Sequence, residues 1–360
     1  DAAARGNGVS VQCSTPTLPG SMDASPGSTP PGTLEAAASP ASSGTPVGES
    51  LASISLLDLI EEDPRRELLG GRLLLRIRLA CDEIASLKEP PPLFSLAPRL
   101  AYLPFLFNDV FEHFKPCLPP RMGLSYEIWF DYNNVALRWH YPLGVLCDVL
   151  VGRNVPMPLD LTVHFRSCPS KELLPYSGIG DLQKAVMNSF RQAVFLMQGS
   201  TAPFMKLPKQ QQTQLWDAIS RSHLESYSSV QRQLLCPSLG KCKSLAVRLH
   251  LYGPPYAVLL HPAAALEGKD GAPTTLRDFL SRAVPQMLDS PTGSLLEGIE
   301  VLTHGLEIPL DTPMYWLALH AAYLDQFVHL AARVPPELLR GAAPLGLGAG
   351  DTAAKPGVER

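Results

Sequence analysis

The sequence predicts an α+β fold in which one structural unit occurs twice around a helical middle. The unit runs strand, strand, helix, strand, strand, short helix, closing strand. Leu159, Leu161, Val163 and Phe165 alternate with Asp160, Thr162, His164 and Arg166, the period of a half-buried strand. Leu182, Val186, Phe190, Ala193 and Met197 fall on one face at helical spacing. The element order from 73 to 166 recurs from 245 to 331, which carries more weight than any short dipeptide match between the halves.

In the first unit, Leu73 to Leu79 reads as a strand and Gly70-Gly71 as the turn before it. After Pro90-Pro91-Pro92 come a second strand, Phe94 to Ala97, and a helix from Pro104 to Lys115 that buries Phe105, Val110 and Phe114. Ile128 to Tyr132 and Val135 to His140 form a hairpin over Asn133-Asn134, because asparagine tolerates the positive φ of a two-residue turn. Pro142 starts a short amphipathic helix with Leu143, Leu146 and Leu150 inward, since a missing N–H costs nothing in the first turn. The Leu159 strand closes the unit. Its order is that of the β-grasp, the ubiquitin fold.

The middle is helical. Asp181 is the expected N-cap and Gly199 the stop of the first helix, followed by helices from Lys209 to Ser220 and from Ser222 to Leu235. The second unit has strands at Leu245 to Tyr252 and Ala257 to His261 and a threonine-capped helix from Thr274 to Leu288. A strand at Ile299 to Gly305, a helix from Pro313 to Ala322 and a strand at Gln326 to Ala331 complete it. Residues 1–52 are Ala, Ser, Gly, Pro and Thr-rich and cannot bury enough surface to offset their ordering entropy, so they read as a disordered tail, as do 336–360. The expected domains are therefore 53–168, an N-terminal helix at Leu51 to Ile60 and the first ubiquitin-like unit, then the helix-rich 169–240, then the second unit at 241–335.

The 360 residues carry a net charge of −4, which supplies no long-range positive field and argues against nucleic acid as the main partner. No stretch approaches the roughly 18 unbroken apolar residues of a membrane span. Seven scattered cysteines do not resemble a disulfide scaffold and suit a reducing cytosol. The chain opens at Asp1 without a charged-then-apolar leader, and its start is left out of the fold reading.

A Cys/His hydrolase would use Cys147 with Asp148, His140 or His164, but the short helix makes Cys147 a buried structural thiol. Cys236 and Cys242 are spaced too widely for a zinc knuckle and lack a second pair, so no metal is expected. There is no phosphate loop or dinucleotide fingerprint, and no cofactor is expected. The acidic run Glu61-Glu62-Asp63 beside Arg65-Arg66 reads as a solvated face, and Trp139, His140, Trp316 and His329 as core or sheet surface. With no nucleophile, base and orienter together, a non-catalytic binding or scaffold role leads. An unrelated β-grasp adaptor or a cysteine-dependent enzyme is the alternative.

Several blocks resemble the autophagy-related protein 5 family. They are Glu127 to Tyr132, Leu137 to Leu146, Leu161 to Arg166, Thr303 to Glu307, Thr312 to Leu317 and Phe327-Val328-His329. Pro90 to Pro92 with Leu96 to Pro104 is most similar to the plant members and extends the second strand toward Tyr102. The resemblance spans about 68 to 335. It implies two ubiquitin-like domains flanking a helix-rich one. It further implies a subunit that carries the ubiquitin-like autophagy protein 12 and binds the coiled-coil autophagy protein 16. With the conjugating enzyme of autophagy protein 8, that assembly stimulates lipidation of autophagy protein 8. The implied location is cytoplasmic, at the phagophore assembly site and peripherally on the isolation membrane.

The family's acceptor lysine lies in an Asn-Ser-x-Lys-Glu-Ala-like helix, and the matching stretch here is Asn188-Ser189-Phe190-Arg191-Gln192-Ala193. Isopeptide formation needs a neutral amine, which a guanidinium protonated above pH about 12 does not provide. Three readings stand: non-covalent pairing with Arg191 in charge-assisted contacts near Asn188 and Gln192, transfer of the acceptor role to Lys184 two turns earlier, or a misaligned register or sequence error at this position. The partner-docking segment of the family matches Leu68 to Leu74 without its tryptophan or proline, leaving Gly71 and Leu73 as the candidate contacts there.

Overall fold

The computed structural model describes residues 51–119, 127–252, 257–267, 271–289 and 291–334. Most of the two tails read as disordered, 1–50 and 336–360, lies outside the described residues, as does Cys13. The first unit comprises helix α1 (Glu62–Leu69), strands β1 (Arg72–Leu79) and β2 (Leu93–Pro98), and helix α2 (Phe107–Phe114). It continues through β3 (Trp129–Tyr132), β4 (Val135–Ala136), α3 (Leu143–Leu150) and β5 (Leu159–His164). The middle contributes α4 (Ile179–Gln198), α5 (Ala202–Met205), α6 (Lys209–Ser220) and α7 (Leu224–Gln231). The second unit holds β6 (Val247–Tyr252), β7 (Ala257–Leu260), the small hairpin β8 (Leu266–Glu267) and β9 (Ala272–Pro273), and α8 (Leu276–Ala283). It ends with β10 (Glu300–Thr303), β11 (Leu306–Glu307), α9 (Met314–His320) and β12 (Val328–Arg333).

The duplication is visible in the sheets. The first has the strand order β2-β1-β5-β3-β4 and the second β7-β6-β12-β10-β11, with the central pairs β1/β5 and β6/β12 parallel and their neighbours antiparallel. In β1 the alternation of the sequence sends Leu73, Leu75, Ile77 and Leu79 into the core and Arg72, Leu74, Arg76 and Arg78 outward. Asn133 and Asn134 take φ of 50° and 65°, as a type I′ hairpin turn requires. Thr275 and Asp278 form a reciprocal capping box at the start of α8.

Several boundaries depart from the sequence reading. Leu51–Ile60 is a 3₁₀ turn at Leu51–Ser53 followed by further turns, because the Ser55 hydroxyl takes the Leu57 N–H at 3.3 Å. Leu56 is packed into the second core. The helix lies instead over the acidic run, with Glu62 and Asp63 favoured in its first turn by the helix dipole and Pro64 tolerated there. Strand β2 stops at Pro98, whose carbonyl accepts the Ala101 N–H at 3.0 Å in a turn, and Tyr102 pairs only with Pro142. The hairpin's second strand ends at Ala136, since Arg138 and Tyr141 close a turn. Pro285 denies Val284 a helical conformation, so α8 ends at Ala283. Asp181 lies inside the first turn of α4, not at the cap, which is Gly178.

Helix α3 is buried on every side except at Leu150, not amphipathic as expected, because it packs under its own sheet and against β6, β10 and β12 of the second unit. At this contact Arg99 pairs with Asp148, and the other oxygen of Asp148 accepts the Gly305 N–H at 3.1 Å. Removing one partner of a buried pair strands the other charge, so Asp148→Ala should cost about 3–5 kcal/mol of unfolding free energy. The paired change Arg99→Met/Asp148→Leu should cost less than the single one. Urea denaturation of the three proteins checks this.

Candidate functional site

Helix α4 turns 100° per residue and buries Leu182, Val186, Phe190, Ala193, Val194 and Met197. Lys184, Asn188, Arg191 and Phe195 then share an opposite stripe about 60° wide. Gly199, with φ 70°, ends the helix in the left-handed conformation open to glycine. The Lys184 side chain is 78% exposed and its Nζ lies 3.3 Å from Asp181 Oδ1. Ser177 donates hydroxyl and backbone hydrogen bonds to Asp181 and, with Lys184, holds its carboxyl down at about 2. The Arg191 guanidinium is half-exposed and donates to the Asn188 side-chain oxygen one turn back. Phe195, one turn on, is 50% exposed.

Behind this stripe the helix is bolted to the second unit. Gln192 accepts from Arg248 Nη2 at 3.1 Å, and Ser189 donates to Asp325 Oδ2 at 2.7 Å. Arg248 Nη1 lies 3.1 Å from that oxygen and its guanidinium covers the Phe327 ring at 3.8 Å. Asp325 also meets His329 Nε2 at 3.2 Å, and His329 Nδ1 meets His250 Nε2 at 2.9 Å. Burial pushes the Asp325 carboxyl up, but His329, Arg248 and Ser189 outweigh it and hold it well below the ordinary range. Burial also lowers both imidazoles, so His329 donates to Asp325 from Nε2 and accepts the His250 proton at Nδ1. The bonds from Ser189 and Gln192 cross between the two domains, and the buried histidines stand behind them within the second unit.

The remaining candidate contacts separate clearly. Leu73 is fully buried in the first core, which corrects its reading as a partner contact, because its side chain points to the inner face of β1. A Cβ at Gly71 would lie 2.8 Å from Arg99 Cδ, so this glycine makes room for Arg99. Cys147 is buried, and burial pushes its thiol up to about 11, leaving it protonated at neutral pH. His164 is bound 2.6 Å from Asp131 and its ring stacks on Trp129. Trp139 donates to the Leu174 carbonyl at 2.9 Å. Cys236 is buried and its Sγ donates to the Met197 carbonyl at 3.4 Å. Sequence reasoning missed Phe195, whose signal was an aromatic residue on the polar stripe, and Arg248 and Asp325, which no short-range pattern links to α4.

Comparisons with known proteins cover all three parts of the chain. Family models described as "Autophagy protein ATG5, UblA domain", "alpha-helical bundle region" and "UblB domain" match residues 68–165, 180–237 and 244–331. Autophagy protein 5 of Oryza sativa subsp. indica is 34% identical over 169 residues, covering 47% of this chain and 43% of that protein. The chain thus spans less than half the length of this relative, and the same holds for the Arabidopsis thaliana protein, covered to 48%. Autophagy protein 5 of Phaeosphaeria nodorum is 26% identical over 299 residues, 74% of this chain and 95% of the relative. The crystal structure of Kluyveromyces marxianus Atg5 shares the fold, with a TM-score of 0.64, 21% identity and coverage of 75% of this chain and 99% of that one.

Buried imidazoles make stability fall in acid. His304 is buried, donates from Nε2 to the Ala321 carbonyl at 2.9 Å and leaves Nδ1 unpartnered, and burial lowers it to about 3. An unfolded histidine titrates near 6.5, so the unfolded chain binds the extra proton below that pH and stability drops as pH falls from 6.5 toward 3. At pH 5 this one group costs about 2 kcal/mol. Asp148, pushed up by burial to about 6 against the pull of Arg99, opposes it by about 1 kcal/mol over the same range. Burial lowers His140 to about 3 as well, which adds a second loss of about 2 kcal/mol at pH 5. Unfolding free energies from urea at pH 7 and pH 5 should therefore show a net loss, and His304→Gln should shrink it by about 2 kcal/mol.

Proposed function

The chain belongs to the autophagy protein 5 family, and we propose that it acts in autophagy as a non-catalytic subunit. In this reading it pairs with the ubiquitin-like autophagy protein 12 and the coiled-coil autophagy protein 16. The assembly works with the conjugating enzyme of autophagy protein 8 to promote its transfer to phosphatidylethanolamine. It operates in the cytoplasm and peripherally on the isolation membrane at the phagophore assembly site. The high thiol value of Cys147 speaks against a cysteine-dependent enzyme. No helix among the described residues is long and apolar enough to cross a membrane, so membrane association in this reading is peripheral.

One observation carries the mechanistic part: the acceptor position of the family motif holds Arg191, on the solvent stripe of α4 and engaged with Asn188. A delocalised, protonated guanidinium has no free electron pair for a thioester. Pairing with autophagy protein 12 is therefore non-covalent, with Asn188, Arg191 and Phe195 at the contact and Gln192 on its flank. Lys184 lies about 10 Å along the helix axis, far from the site where the motif places the modifier's C-terminus.

Co-expression with the organism's own autophagy protein 12 and its activating enzymes, followed by affinity capture, tests this. The complex should appear on native gels and vanish on denaturing ones, and Lys184→Arg should change neither. Arg191→Lys should create a denaturation-resistant band. A resistant band in the wild type mapping to Lys184 would instead move the acceptor there.

A further inference from the structure

We propose that the cleft between α1 and α7 binds a phosphate group. The cleft has a volume of about 320 Å³ and lies away from the α4 stripe, so the inference does not rest on the function proposed above. Arg65, Arg66 and Arg232 line it together with Ser228. Two acids also line it, Glu62 and Glu225, leaving one positive charge in excess. Glu62 is already paired with Arg232.

Arg65 is the decisive group. It is 4% exposed, and its Nη2 donates to the neutral side chain of Gln231 while Nη1 has no hydrogen-bond partner. Among the described residues no carboxylate is within ion-pair distance of it, since Glu62, whose charge it feels, is held by Arg232. Burial and the charge of Arg232 both work against its protonated form. A buried cation without a counter-charge costs several kcal/mol, and an anion in the adjoining cleft offsets that cost.

The donor set selects phosphate over carboxylate. Guanidinium forks from two helices approach from different directions, which suits the three peripheral oxygens of a phosphate ester, and a serine hydroxyl adds a neutral donor. The volume equals that of roughly ten waters, room for a phosphate and part of the group it esterifies. A soluble phosphomonoester and a phospholipid headgroup share this chemistry, and the test separates them.

Calorimetric titration of the full chain with glycerol 3-phosphate should give saturable binding. The double variant Arg66→Ala/Arg232→Ala should weaken it about tenfold or more, the loss expected from a charge-assisted hydrogen bond. Both arginines are exposed on the rim, so the variant should keep the wild-type circular dichroism and urea midpoint. Flotation with phosphatidylcholine vesicles, with and without phosphatidic acid, forms the second arm. Arginine-dependent flotation without binding of glycerol 3-phosphate assigns the site to a lipid headgroup. Binding of glycerol 3-phosphate without flotation assigns a soluble ester. The proposal is overturned if neither probe binds, if the variant binds as the wild type does, or if acetate competes equally with the phosphate ester.

Discussion

The two ubiquitin-like units meet over one buried ion pair of the first, Arg99 with Asp148, whose second oxygen takes the Gly305 N–H of the second. Arg99 is 7% exposed and threads between backbone segments that approach too closely for any side chain. A Cβ at Gly144 would lie 2.9 Å from Arg99 Cβ and from the Tyr323 hydroxyl, and one at Gly71 would meet Arg99 Cδ at 2.8 Å. Gly305, at φ +83°, turns the β10–β11 hairpin so that its N–H reaches Asp148. Replacing a buried ion pair by apolar residues is often neutral or better, so the pair is weak evidence for stability as such. Its consequence here is geometric: Arg99 holds Asp148 and the Gly144 carbonyl within the first unit. The second unit docks where the free Asp148 oxygen takes the Gly305 N–H and the guanidinium packs under Gly305, which leaves no room for a Cβ.

That constraint explains the composition of α3. Leu143, Val145, Leu146, Cys147 and Val149 leave no polar side on the helix except Asp148, because both units bury it. With the units fixed, α4 lies along the second sheet and is tied by Ser189 and Gln192 to Asp325 and Arg248. The same helix that anchors the middle to the second unit therefore presents a defined stripe to solvent. Packing of the inner residues, rather than helix propensity, sets which side chains that stripe contains.

The repeated element order was legible because strand alternation and helix period are local signals, and both units use them. The blocks that carried the family resemblance, Leu96 to Pro104, Leu137 to Leu146 and Thr303 to Glu307, are also those that build the Arg99 junction. Their roles were not legible, since the residues that meet at Asp148 are 49 and 157 positions away from it. The segment before β1 misled for a related reason. Leu51 to Ile60 has the apolar content of a helix, yet Leu51, Leu56 and Leu59 are drawn to the second core, while the charged run after it is helical, with Glu62 and Asp63 in the first turn favoured by the helix dipole. For the α4 face the sequence located Arg191, Asn188 and Lys184, but the exposure of Phe195 depends on where the bundle leaves α4 uncovered.

On the proposal that position 191 takes the place of the family's acceptor, the arginine there changes what the α4 face has to supply. A covalent bond keeps two proteins together whatever the strength of their surface contact, since the tether holds the effective concentration high. Without it, residence depends on the contact itself. An arginine held to Asn188 on an exposed turn contributes little by charge alone, because exposed pairs are screened by water and salt. An aromatic side chain that loses its water on docking contributes more, and arginine beside an aromatic is the composition found at the centres of tight interfaces. Phe195, one turn from Arg191 and half-exposed in the isolated subunit, meets that requirement. On the non-covalent reading, the affinity that a lysine would have made unnecessary is thus carried by the apolar neighbour on the same stripe.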